Sequence, residues 1–277
     1  MSDAPSTVVA FYRVLFTGLP LLPIAVWKYR PHFARMTRRE IGMAILAGCA
    51  LGLHFATWFE SLSWTSVAAS VTLVQAQPIF VGLGAWLILR ERVSRKMAIG
   101  MGIAIFGMAA MSLGDLLSGV LVGPDPMFGN ALALFAAVMT AVYVLVGRFL
   151  RQEIALIPYV VIVYGVCAIV LGILVAGQGH AFSGYPAREW LLFLGLAIGP
   201  GLVGHTVINW TLAHLDSSVV SVSLLGEPIG ATLLAIIILT EYPSVYTILG
   251  GLIVLAGIYL TASESEEKAA RTAPSTP

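Results

Sequence analysis

Long apolar stretches alternate with short polar ones along almost the whole chain. They run approximately over residues 7–27, 41–63, 67–89, 97–113, 128–146, 157–176, 190–212, 218–239 and 246–262. Crossing about 30 Å of hydrocarbon takes roughly 20 apolar residues in helical form. Within hydrocarbon the backbone must satisfy its own hydrogen bonds, which favours helices. The stretches are continuous, without the strict alternation of a membrane β-barrel. The pattern therefore predicts an all-α polytopic membrane protein with nine transmembrane helices. The closing "SESEEKAARTAPSTP" (263–277) is polar and ends in prolines, and it predicts a disordered tail.

Composition agrees. The 277 residues are 58% hydrophobic and 10% charged, with a mean hydropathy of +0.92, whereas a soluble domain carries about 25% charged residues. The net charge of +1 says little about partners, and no basic patch with interleaved aromatics suggests nucleic acid. Cys49 and Cys167 both fall in apolar stretches and read as buried thiols, not as a disulfide or metal pair. The opening "MSDAPSTVV" has no basic segment before its apolar run and does not read as a signal peptide.

Lysine and arginine set the expected orientation, because cytoplasmic loops collect them. If nine helices alternate, thirteen of the fifteen fall on one side: Lys28, Arg30, Arg35, Arg38 and Arg39, then Arg90, Arg92, Arg95 and Lys96, then Arg148 and Arg151, then Lys268 and Arg271. Only Arg188 lies on the other side, and Arg13 lies within the first helix. The N-terminus is then outside and the C-terminus cytoplasmic, in a plasma or bacterial inner membrane.

The chain also repeats itself at an offset of 150 residues. Pro78, Glu91, Gly100 and Gly107 match Pro228, Glu241, Gly250 and Gly257. With one residue of slippage, His54 matches His205. The matched helices would run in opposite directions, so the halves are inverted copies, a common construction of secondary transporters. Residues 1–120 form a first repeat with four helices and residues 121–262 a second with five, so the first helix of the first repeat is expected to be missing from this sequence.

The stretches "QPIFVGLGAWLILRERVSRKMAIGMGIAIFG" and "EPIGATLLAIIILTEYPSVYTILGGLIVLAG", with "AFYRVLFTGLPLLP" near the start, resemble the EamA-type permeases of the drug/metabolite transporter superfamily. Residues 7–262 share the resemblance. It implies inverted repeats of five plus five helices, of which four plus five are present here. It further implies export of an amino acid or related metabolite. It associates the last helix of each half with homodimer packing, which gives Gly100, Gly107, Gly250 and Gly257 a packing role. The alternatives are a proton-coupled exporter of drugs or organic cations and a membrane sensor or subunit that moves nothing.

Candidate cavity residues come from polar groups in apolar surroundings. Arg13 reads either as a cavity-facing charge or as a side chain snorkelling to the interface. His54 and Trp58 share a helix face at i, i+4, and His205 and Asn209 do the same beside Trp210. Each set suits a cavity wall or an interhelical hydrogen bond. "IGPG" (198–201) interrupts helix regularity just upstream of His205. Gln77 and Glu227 each precede the repeated proline, Pro78 or Pro228, which marks a helix break. An acid within the bilayer is costly and is a functional candidate by default. Glu227 is therefore expected to bind a substrate cation or the coupling proton, the alternative being a structural acid beside a helix break. Glu91 and Glu241, at helix ends, read as structural. No G-x-x-x-x-G-K-[ST], H-E-x-x-H or G-x-S-x-G sequence occurs, and nothing sets a metal-ligand spacing, so no enzyme activity, cofactor or metal is expected. The expected partners are a small-molecule substrate, the lipid bilayer, a coupling proton and a second copy of the chain.

Overall fold

A computed structural model describes residues 2–89, 94–118, 123–151, 154–204 and 226–272. All of its regular structure is helical. In chain order it comprises α1 (Ser6–Gly18), α2 (Leu21–Lys28), α3 (Arg30–Arg35), α4 (Arg38–Ser61), α5 (Val67–Val74) and α6 (Gln77–Leu89). These are followed by α7 (Arg95–Ser118), α8 (Pro126–Leu150), α9 (Leu156–Gly177) and α10 (Ala187–Leu196). A π-helical segment (Ala197–Gly204), α11 (Gly226–Leu239) and α12 (Val245–Thr272) complete the described chain. Among the described residues, six stretches are long and apolar enough to cross a membrane, and two shorter apolar helices, Glu227–Leu239 and Val245–Thr261, follow them. Each of the nine apolar stretches thus coincides, at least in part, with described helix.

The structure differs from the sequence pattern where backbone chemistry intervenes. The first stretch is interrupted at Leu19–Pro20, because Pro20 offers no N–H to continue α1 into α2. The third stretch divides into α5 and α6. The tail expected to be disordered is helical as far as Thr272, since α12 runs on past residue 262. Its composition of alanine, glutamate and lysine has the intrinsic helix propensity to allow this.

Contacts divide the chain into two compact units, Met1–Glu60 with Val142–Trp210, and Ser61–Ala141 with Thr211–Pro277. Each draws helices from both sequence repeats. In lipid the hydrophobic effect does not hold helices together, so close packing of small residues must do so. The first unit follows that rule. Its core between α1, α4 and α9 includes Ala10, Ala44, Ala47, Val163, Cys167 and Leu171. At Gly48 an added Cβ would lie 2.6 Å from the Val166 Cβ, so only glycine fits. The other faces of α9 turn Ile169 and Ile173 outward, as a lipid-facing surface requires.

In the second unit α7 packs along α12 through the repeated glycines. A Cβ at Gly257 would lie 2.4 Å from the Ala104 nitrogen, and one at Gly107 2.7 Å from the Val254 nitrogen. Gly100 and Gly250 face Thr261 and Met111 equally closely. The two glycine pairs therefore meet each other within one chain.

The N-terminal residues are tied to the first unit by Glu189, which is only 1% exposed. Its carboxylate accepts hydrogen bonds from the Ser2 hydroxyl and, at 3.1 Å, from the Asp3 N–H. The Ser2 hydroxyl, followed by the Asp3 N–H, holds this carboxyl below the ordinary glutamate value of 4.5. A depressed value means the tie is intact above pH 4.5 and is lost as pH falls through the lowered value. Hydrogen exchange at residues 3–6 should therefore accelerate on acidification below that point. In Glu189→Gln it should be fast at every pH. Exchange in the wild type that ignores pH would refute the tie.

Candidate functional site

In the first unit aromatic rings surround Arg13, half-buried on α1. Its guanidinium carbon lies 4.8 Å from the Phe55 ring centre, 5.6 Å from Phe59 and 5.7 Å from Trp58. All three rings belong to α4, where the i, i+4 pairs 54/58 and 55/59 lie side by side on one face. His54 stacks on Trp58 with ring centres 5.7 Å apart and an interplanar angle of 26°. Arg13, His54 and Trp58 are thus brought together, with the Arg13 head group set over aromatic faces. Planar guanidinium groups suit such faces better than an ammonium does. Arg13→Lys should consequently lower unfolding stability by about 1 kcal/mol although it keeps the charge. The shift can be read from reversible unfolding in mixed micelles, and an unchanged midpoint would show that the ring contacts contribute nothing.

The second unit holds both repeated prolines, Pro78 and Pro228. Between α5 and α6 the helical ladder stops for two residues, Gln75 and Ala76. Gln77 is half-buried and opens α6, with Pro78 in its first turn. Pro228 occupies the first turn of α11. Neither proline costs the helix a hydrogen bond there, because first-turn N–H groups have no intrahelical partner. Glu227 lies one residue before Pro228, and its carboxylate accepts a hydrogen bond from the Gln75 side-chain amide. The repeat pairs Glu227 with Gln77 in sequence, but among the described residues it is Gln75 that donates to it. The reason is local: Gln75 sits at the break itself, outside both helices.

A small cavity of about 170 Å³ lies next to this junction, lined in part by Thr72, Pro228, Thr232 and Thr247. The Thr232 hydroxyl donates to the Pro228 carbonyl at 2.7 Å. Glu241, in the turn between α11 and α12, accepts a hydrogen bond from the Val67 N–H at 2.7 Å. It thereby caps the N-terminus of α5, where the helix dipole favours an anion. Burial raises its carboxyl above the usual value, and the Val67 N–H opposes this.

Several sequence candidates lie outside the described residues, namely His205, Asn209, Trp210 and Glu91. The irregularity expected at "IGPG" is a π-helix carrying Pro200. There the Thr17 hydroxyl approaches so closely that a Cβ at Gly201 would lie 2.4 Å from it. Among the described residues no three His, Cys, Asp or Glu side chains gather as metal ligands.

The sequence pattern of the EamA-like transporter family matches residues 1–113 and 127–263. The chain belongs to that family. Relatives of this EamA-like chain include an "Uncharacterized transporter" of Archaeoglobus fulgidus, 23% identical over 94% of this chain and 88% of its own length. Another "Uncharacterized transporter", from Clostridium kluyveri, is 23% identical over 91% of this chain and 82% of that protein. A known crystal structure superposes with a TM-score of 0.61 at 18% identity, covering 97% of this chain and 90% of the other, and supports the fold alone. The protein is a multi-pass membrane transporter.

Phe55, Phe59 and Gln75 were not among the residues singled out from sequence. The first two could have been found from their i, i+4 spacing around Trp58. Gln75 carries no such signal, because its position follows from where the helix breaks.

Proposed function

We propose that this EamA-like protein is a secondary transporter that exports an amino acid or related small metabolite by alternating access, with Glu227 carrying the coupling proton or the substrate's ammonium group. The observation behind this is the hydrogen bond from Gln75 to Glu227, which joins the break before α6 to the first turn of α11 through an acid. Interrupted helices are where transporters of this construction hold substrates and coupling ions. The Lys and Arg asymmetry favours an external N-terminus and a cytoplasmic C-terminus in a plasma or bacterial inner membrane.

Export of an organic cation fits less well. The aromatic faces that would attract such a cation, Phe55, Trp58 and Phe59, already carry the Arg13 guanidinium. Proteoliposomes containing the full chain, loaded with labelled amino acids and given a pH gradient, provide the test. Gradient-driven efflux of at least one amino acid is expected. Efflux of organic cations alone would favour the alternative, and no flux of either kind would favour a sensor or subunit.

A further inference from the structure

The first unit contains a cavity of about 420 Å³, larger than the one beside Glu227 and apart from the ring cluster at Arg13. Its volume falls within the range of about 300–1,000 Å³ typical of small-molecule sites. Most of the wall is apolar, including Leu21, Val144, Ile157 and Val160. The polar groups are few: Thr17, the tyrosines at 143, 159 and 164, and Arg151.

Tyr159 is the unusual member. It is 3% exposed, and among the described residues its hydroxyl is buried without a hydrogen-bond partner. A buried donor left unmade costs about 1–3 kcal/mol, so a hydroxyl kept in that state on a cavity wall points to a ligand. Its surroundings are built to leave it clear. A Cβ at Gly147, also on the wall, would lie 2.8 Å from the Tyr159 hydroxyl oxygen. One turn on, Arg151 shares the wall and, among the described residues, donates a long bond, 3.3 Å, to the Ile154 carbonyl. Apolar walls, one cation and one unused phenolic donor together specify a singly charged amphipathic anion.

We propose that this chamber binds a small organic carboxylate with an apolar or aromatic body, its carboxylate on Arg151 and a hydrogen-bond acceptor on the Tyr159 hydroxyl. As a vestibule for the exported compound it rests on the transporter function proposed above, with Arg151 on the cytoplasmic side. It narrows that substrate class to acids whose negative charge, not their ammonium group, is held first.

The test is equilibrium binding of radiolabelled phenylacetate to the full chain in lipid nanodiscs, with no gradient imposed. Saturable binding is expected. Neutral phenylacetamide should bind about tenfold more weakly or worse, as should phenylacetate to Arg151→Gln, because a charge-assisted pair is lost. Arg35→Gln, at the end of α3 and outside the chamber, should stay within about twofold of wild type. Tyr159→Phe should weaken binding about fivefold, the worth of one hydrogen bond, without lowering the thermal midpoint, since no internal bond is broken. Gly147→Ala should match it by crowding the same hydroxyl. Absence of saturable phenylacetate binding by folded wild-type protein would overturn the proposal. Equal affinity for the amide, or equal effects of Arg151→Gln and Arg35→Gln, would do the same. The two proposals fail separately: amino-acid efflux without phenylacetate binding removes the chamber alone, and binding without any flux removes the transporter mechanism alone.

Discussion

Glu227→Gln is expected to cut gradient-driven efflux about tenfold or more, the equivalent of at least about 1.4 kcal/mol of lost interaction, and to flatten its dependence on pH. The substitution preserves size and shape, and the new side-chain carbonyl can still accept from the Gln75 amide. What it removes is the capacity to take up and release a proton, or to neutralise a cation. The fold should be unaffected, because Glu227 is exposed within its unit and not packed in the core. Gln75→Leu separates the two parts of this expectation. It deletes the donor to the carboxylate, and a hydrogen bond to a charged group is worth about 1.5–3 kcal/mol. Flux should fall while the pH dependence persists with a displaced midpoint. A Glu227→Gln protein that transports at the wild-type rate with the wild-type pH profile would remove Glu227 from the mechanism and leave it a structural acid beside a helix break.

The largest stability effect is expected at the crossing of α7 and α12. Gly257→Leu places its Cβ 2.4 Å from the Ala104 nitrogen and 2.6 Å from the Gly100 carbonyl oxygen. Those opposing atoms are backbone, which cannot swing aside as a side chain would, so the helices must separate along the seam. Overpacking a well-fitted core costs about 1–3 kcal/mol, and the upper end is expected here. Gly102→Ala on α7 is the matched control, with nothing within 4 Å of the added carbon. It should be neutral or stabilising by about 0.5–1 kcal/mol from helix propensity. Thermal unfolding of the detergent-solubilised chain reads both, and similar midpoints for the two variants would refute the seam.

The sequence by itself determined the fold class, the course of the apolar segments and the repeated prolines that open α6 and α11. It also identified the glycines as packing residues and Glu227 as an acid in an apolar setting. These are properties of one segment at a time, written in hydropathy, in the backbone chemistry of proline and glycine, and in the cost of charge in lipid. The partners of those residues were decided only by tertiary structure. Gln75, not the repeat-matched Gln77, meets Glu227, because the side chain at a helix break takes its direction from the break and not from the helical period. Arg13 lies over Phe55, Phe59 and Trp58 because α1 and α4 pack face to face, and neither helix's sequence states which faces will meet. The repeated glycines pair α7 with α12 across more than a hundred residues of chain, since in lipid any two small-residue faces of matching shape can pack. The Tyr159 hydroxyl becomes notable only when the space around it is seen, because an unused hydrogen-bond donor is a relation among neighbours and leaves no mark on the residue alone.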